Sequence, residues 1–271
     1  MVKLVDGEEF LIHAEENICY VVLNSPSTKN AISLRMSHIM QSLSFNFENK
    51  KSTFEEFLIN YNCVLIVLKS AVTGVFSSGG NLKDLKNNSL EDCQQYGASI
   101  RSFCNLLNSI SIPSVAILSG PSYGGGVELA LATDFRWSVG KNYDFHLSQT
   151  RFGIPAGWNG MLRLTELCPN LYPKKVAALQ VGKCSLTSTQ LLRLGLVDQT
   201  FTTAKSCQQN LIKWKDNIID CPKPIRDNLM NRQKILNKSL LYEYDINIFN
   251  KYFLKEEHKK RIHNFFSVKS K

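Results

Sequence analysis

Short, wholly apolar runs alternate along this chain with longer segments in which apolar residues recur every three or four positions. Residues 18–23 (ICYVVL), 63–68 (CVLIVL) and 114–118 (SVAIL) are runs of the first kind, and they have the form of buried strands. Met36, Ile39, Met40 and Leu43 fall on one face of a helix that starts after Ser33, a suitable N-cap. Ser89 caps a longer helix that reaches about Ile110 and carries Ile100, Phe103, Leu106 and Leu107. Between these helices, residues 50–62 are charged and irregular, as expected of a surface excursion. Further on, the pattern predicts a strand and loop over 145–153, helices over 158–167, 173–179 and 187–193, and a last strand at Leu196-Val197. From Ala204 onward the pattern is mainly helical, broken at Cys221-Pro222 and Pro224. Strand–helix alternation followed by a helical tail predicts an α/β core over 1–200 and a helical region over 201–271.

One stretch departs from simple amphipathic logic. Residues 113–136, PSVAILSGPSYGGGVELALATDFR, read as strand, glycine turn, short apolar helix and second strand. Gly124-Gly125-Gly126 permits a tight turn and lets another molecule come close to the main chain. Glu128 then puts a carboxylate into the first turn of a helix that is otherwise apolar over 127–133. A buried carboxylate is costly unless it is paired or used. The helix start also offers free N–H groups and a positive dipole end. A second glycine turn, Gly79-Gly80, follows the 63–68 run. Two backbone N–H groups from such turns, aimed at one oxygen, form an oxyanion hole for charge that develops during a reaction.

Composition narrows the picture. The chain has 271 residues, 44% of them hydrophobic, which is enough for a sizeable core. No run approaches the length of a membrane span, and the first residues lack a signal-peptide pattern. The eight cysteines form no CxxC pair and no ligand spacing with histidine, so reduced thiols in a cytoplasmic protein are expected and no metal site is. The chain ends SVKSK, so no Ser-Lys-Leu peroxisomal address is expected. A net charge of +9, from 32 Lys+Arg against 23 Asp+Glu, fits an anionic partner. Lys255, Lys259, Lys260, Arg261, Lys269 and Lys271 concentrate it near the end. Nucleic-acid binding has only this basic charge in its favour, because no RNP-type aromatic motif is present.

The segments NSPSTKNAIS, VFSSGGNLKDL, PSVAILSGPSYGGGVELALATDFRWS, FGIPAGWNGMLRL and LGLVDQTF resemble the enoyl-CoA hydratase/isomerase (crotonase) superfamily over about residues 15–200. The resemblance implies the crotonase (ClpP/crotonase-like) spiral of ββα units. It also implies a C-terminal helical trimerisation region that includes the RIHNFFSVKSK end, and a homotrimer or dimer of trimers. It implies an acyl-CoA substrate, with no cofactor beyond the coenzyme A thioester itself. Gly80 and Gly125 match the oxyanion-hole donors and Glu128 the first of two catalytic glutamates. Asn30, Ala31 and Ile32, with Gly79 and Gly80, match the coenzyme A-binding loops. Basic residues near the C-terminus match those that take the nucleotide phosphates.

Two departures bear on the reaction. The position of the second glutamate falls on Gln149, which cannot exchange a proton at neutral pH, and Asn81 replaces a common aspartate. His146, three residues earlier, is the nearby titratable group and offers either an acid/base or a plain strand-end residue. Syn-hydration uses two carboxylates, whereas decarboxylation of a malonyl-type thioester needs the oxyanion hole and one protonation, which Glu128 could supply. The loop Ile154–Gly160 is similar to a loop of methylmalonyl- and ethylmalonyl-CoA decarboxylase-like members. The expected activity is therefore a single-carboxylate acyl-CoA lyase, with enoyl-CoA hydration by an altered acid/base pair as the alternative. Phe76, Tyr123, Phe145, Phe152 and Trp158 are candidates to line the acyl pocket.

Overall fold

The computed structural model describes residues 1–44, 52–86, 88–168, 170–231 and Lys260. Their strands are β1 (Val2–Asp6), β2 (Phe10–Glu15), β3 (Ile18–Leu23), β4 (Ala31–Ile32), β5 (Leu65–Ser70), β6 (Gly79–Gly80), β7 (Ser114–Leu118), β8 (Ser122–Tyr123), β9 (Phe135–Val139), β10 (Phe145–His146), β11 (Ser185–Leu186) and β12 (Gln199–Phe201). The helices are α1 (Leu34–Ser44), α2 (Thr53–Asn60), α3 (Leu82–Lys86), α4 (Leu90–Ser109), α5 (Gly125–Ala130), α6 (Gly160–Leu167), α7 (Pro173–Val181), α8 (Ser188–Arg193), α9 (Ala204–Asp220) and α10 (Lys223–Asn231).

The main sheet has the order β1-β2-β3-β5-β7-β9-β12. Its first two pairings are antiparallel, and β3, β5, β7, β9 and β12 run parallel. Parallel strands are covered on both faces, which is why β3 and β7 read as unbroken apolar runs. Cys19, Val21, Leu23, Ile66, Leu68, Ala116 and Leu118 join the larger core cluster, with Met36 and Met40 of α1 and Ile100 and Phe103 of α4. The alternate residues Tyr20, Val22, Val67, Val115 and Ile117 pack in a second cluster with Cys207 and Leu211 of α9. Two smaller sheets, β4-β6 and β11-β10-β8, carry the glycine turns. Met1–Lys215 form one compact unit and Asp216–Lys271 a second, in which α10 is described and the basic end, Lys260 apart, lies outside the described residues. No described helix is long and apolar enough to cross a membrane.

Three local expectations change. Part of the 50–62 stretch is a helix, α2, because a Ser52–Glu55 capping box starts it and Phe54, Phe57 and Leu58 are buried. The last strand lies at Gln199–Phe201, beside β9, rather than at Leu196-Val197; those two residues are buried but leave the edge position to Gln199. The helix after the three glycines begins at Gly125, two residues before the apolar run.

Arg136, on β9, fastens the end of the sheet. It is 2% exposed; its Nε donates to Leu196 O at 2.6 Å and its Nη1 to Thr133 O at 2.7 Å. Asp198 takes the Arg136 main-chain N–H at 2.7 Å and lies 3.7 Å from Nη2. Removing the guanidinium strands these carbonyls in an apolar setting. Arg136→Ala is therefore expected to lower unfolding free energy by about 3 kcal/mol. Urea unfolding measures it, and a loss below about 1 kcal/mol, the worth of one ordinary hydrogen bond, would contradict this account.

Candidate active site

The two glycine turns meet although 45 residues separate Gly80 from Gly125. Gly79 has φ +92°, and a Cβ there would stand 2.6 Å from Tyr123 O and 3.2 Å from Gly125 N. Only a glycine allows β6 to pass this close to the β8–α5 turn. Asn81 N–H donates to Ile32 O on β4 at 3.0 Å. Successive N–H groups of a strand point to opposite sides, so that of Gly80 turns away from β4. Gly125 is the first residue of α5, and its N–H has no acceptor within the helix. Both residues line one cavity of about 1040 Å³.

Glu128 lines the same cavity and is 2% exposed. Its Oε2 accepts from Trp158 N–H at 2.7 Å and Gly160 N–H at 2.9 Å. Its Oε1 accepts from the Gln149 amide at 3.1 Å and Gly157 N–H at 3.3 Å. An ionised carboxylate has about four acceptor positions, and four N–H groups occupy them. The buried charge is satisfied by the start of α6 and the loop before it. Gln149 must direct its Nε2 at the carboxylate, because its Oε1 there would set acceptor against acceptor. That Oε1 has no partner among the described residues.

The loop from Ile154 to Gly160 is held from its carbonyl side as well. Arg163, 4% exposed, donates to Trp158 O at 2.6 Å and to Asn105 Oδ1 at 2.7 Å. Arg101 reaches Gly157 O at 3.2 Å. Trp158 thereby packs against Gly125, where a methyl group would overlap its indole. Gly160 is equally constrained, because a Cβ there would overlap the Glu128 side chain.

Of the residues singled out in the sequence, Gly79, Gly80, Tyr123, Gly125, Glu128, Gln149, Phe152 and Trp158 line this cavity. Phe76 and Phe145 do not. Both are fully buried in the larger core cluster, so their aromatic bulk is packing. Asn30, Ala31 and Ile32 are also off the wall. The Asn30 amide ties Ser25 N, Ser70 Oγ and Phe76 O together, and Ala31 and Ile32 pair with Gly79 and Gly80. They hold β6 in place, while Pro26 and Lys29 of the same loop reach the cavity. His146 stands behind Tyr123, stacked on its ring at 4.4 Å, with Nδ1 2.6 Å from Ser185 Oγ; burial lowers its pKa. It is not on the cavity wall.

The sequence reading missed Tyr96, Arg151 and Arg163. Arg151 lines the cavity with its side chain at the exposed rim. Tyr96 lines it from α4 and donates its hydroxyl to Ile32 O at 2.8 Å; burial raises its pKa. Its only signal was a phenol in the helical stripe Tyr96, Ile100, Phe103 and Leu107, which reads as core.

Residues 13–270 match the family model for enoyl-CoA hydratase/isomerase. The chain is 32% identical over 154 residues to a probable mitochondrial enoyl-CoA hydratase 2 of Arabidopsis thaliana, covering 57% of this chain and 48% of that protein. It is 37% identical over 102 residues to a mitochondrial methylglutaconyl-CoA hydratase 1 of Pyricularia oryzae, covering 38% of this chain and 29% of that protein. The chain thus spans about half or less of the length of these two relatives. The solved structure of an enoyl-CoA hydratase from Geobacillus kaustophilus superposes with a TM-score of 0.78 at 18% identity, over 97% of this chain and 96% of that one, and shows the crotonase fold. On its sequence and its fold together, the chain belongs to the enoyl-CoA hydratase/isomerase family.

Proposed function

We propose that this chain is an acyl-CoA-processing enzyme that holds a thioester enolate between the N–H groups of Gly80 and Gly125, and that its reaction is decarboxylation of a malonyl-type thioester. One observation carries the choice of reaction. Among the described residues, Glu128 is the only carboxylate on the cavity wall, and N–H donors fill its acceptor positions. Such a site holds developing negative charge but offers no free base. Loss of carbon dioxide makes an enolate without one. The bond between the α-carbon and the carboxylate carbon breaks, its electron pair becomes the enolate, and the charge moves to the thioester oxygen facing the two N–H groups. The α-carbon then takes one proton, drawn from solvent. Glu128 Oε1 is the atom that can open to relay it, because its 3.3 Å contact with Gly157 is the longest of the four. Lys29 and Arg151 on the cavity wall supply positive charge for the phosphates of coenzyme A. The enzyme requires no cofactor beyond its thioester substrate and works as a homotrimer or dimer of trimers, which sedimentation measures.

Hydration is the second reading, favoured by the hydratase names of the two relatives. It would have Gln149 steer the water and Glu128 move both protons. Mixing the protein with methylmalonyl-CoA, ethylmalonyl-CoA and crotonyl-CoA separates the two. Carbon dioxide release from a malonyl-type thioester with crotonyl-CoA inert is expected; fast hydration with no decarboxylation overturns the first reading.

Glu128→Gln removes the proton relay and turns an amide NH₂ toward main-chain N–H groups. Turnover is expected to fall by about 10²–10⁴-fold, while calorimetry finds coenzyme A still bound. Unchanged turnover would remove Glu128 from the chemistry.

A further inference from the structure

We infer that Tyr96 and Trp158 form an aromatic strut that fixes the spacing of the two oxyanion N–H groups, acting as positioning residues for Gly80 and Gly125. The inference rests on the oxyanion-hole reading above and adds residues to it. Gly80 and Gly125 belong to different small elements, β6 and the start of α5, which main-chain contact at Gly79 and the Tyr123 N–H bond to Ser77 O bring together. A pair of rings also runs between them along the cavity wall. The Tyr96 hydroxyl stands 3.1 Å from where a Cβ on Gly80 would be, and it donates to Ile32 O, the carbonyl that also takes Asn81 N–H. Ile32 is the register partner of Gly80. The phenol therefore holds β4 and abuts β6 at the point where Gly80 turns its N–H away from β4.

From there the Tyr96 ring meets the Trp158 ring edge-on, with centroids 6.0 Å apart and planes at 66°. That geometry is favoured between aromatic quadrupoles. The six-membered ring of the indole packs on Gly125. Both rings are nearly buried, at 4% and 7% exposure, and both line the cavity. Trp158 is held at its backbone by Glu128 on one side and Arg163 on the other, so it cannot slide away from Gly125. Contact thus runs from Gly80 through Tyr96 and Trp158 to Gly125. Two N–H donors preorganised at a fixed spacing stabilise an oxyanion far better than donors that must reorganise, and small displacements of a reacting group are costly.

The test uses the full chain and acetyl-CoA labelled with ¹³C at the carbonyl, with Tyr96→Phe and Trp158→Phe as conservative variants. Infrared difference spectra of the bound thioester report how strongly the two N–H groups polarise its carbonyl. The wild-type protein should shift the carbonyl stretch to lower frequency, and each variant should lose about half of that shift or more, as one of two donors drifts. Affinity for free coenzyme A, which lacks the acyl group, should stay within about twofold in both variants, well under the tenfold that 1.4 kcal/mol makes, and this shows that they are folded. Variants that keep the full shift, whatever their thermal stability, overturn the strut and leave the rings as ordinary core. A wild-type protein that binds acetyl-CoA without any shift overturns the oxyanion-hole reading itself, and the strut with it.

Discussion

Burying the Glu128 carboxylate is the constraint around which the site is arranged. An ionised carboxylate taken out of water is tolerable only when charge-assisted hydrogen bonds replace its hydration. The chain supplies them from main-chain N–H groups of residues 157, 158 and 160, some 30 positions downstream. The loop must therefore close over α5, and the rest follows. Gly160 has to lack a side chain because it meets Glu128, and Gly125 because it meets Trp158. Arg163 is driven into the interior, where it satisfies the carbonyl that the same turn of chain leaves exposed. A single buried charge thus dictates where the loop closes, the glycine at 160 and, through that closure, the buried cation.

The same packing explains how two distant glycine turns come to share a cavity. The main sheet alone does not bring them together; it delivers β5 and β7 in register side by side. The short strands that follow each of them then diverge into separate small sheets. Ser77 links these sheets, bridging Ser122 on one side and donating its hydroxyl to Asn30 O on the other. With Gly79 in a positive-φ conformation, β6 lies close enough to the β8–α5 turn that no other residue fits.

Much of this was legible in the sequence, and what escaped has a common cause. The parallel strands β3, β5 and β7 announced themselves because burial on both faces leaves long apolar runs, whereas the exposed, polar β12 was misplaced. Gly80, Gly125 and Glu128 could be placed in one site because local motifs carry them. The partners of Glu128 could not, since main-chain N–H groups have no signature in a sequence and depend on where a loop closes. Phe76 and Phe145 were expected at the pocket because an aromatic at a strand end looks the same in sequence whether it faces a cavity or the core. Tyr96 was hidden by the opposite ambiguity: its ring belongs to the α4 core stripe, and only its hydroxyl position shows that it bonds β4 and approaches Gly80. The α2 helix went unread because its charges obscured a three-residue apolar face behind a Ser–Glu cap.

The saturated carboxylate also bears on which chemistry such a site can sustain. For Glu128 to take or give a proton, one of its N–H partners must yield. A hydrogen bond to a charged group is worth about 1.5–3 kcal/mol, so opening one before the chemical step slows that step by roughly 10–150-fold. Syn-hydration with Gln149 in the second position would ask Glu128 to serve as base toward water and then as acid toward carbon, and so it meets this cost in both directions. The proposed decarboxylation would make its enolate by breaking a carbon–carbon bond, with the charge received at Gly80 and Gly125, and would meet the cost once, at protonation. Gln149 sharpens the contrast. As an amide it donates to Glu128 and helps keep the carboxylate closed, where a second carboxylate would have repelled it and left acceptor positions open to water. On the proposed reading, an amide at that one position makes a hydrogen-bonded wall where a second carboxylate would make a pair suited to moving protons.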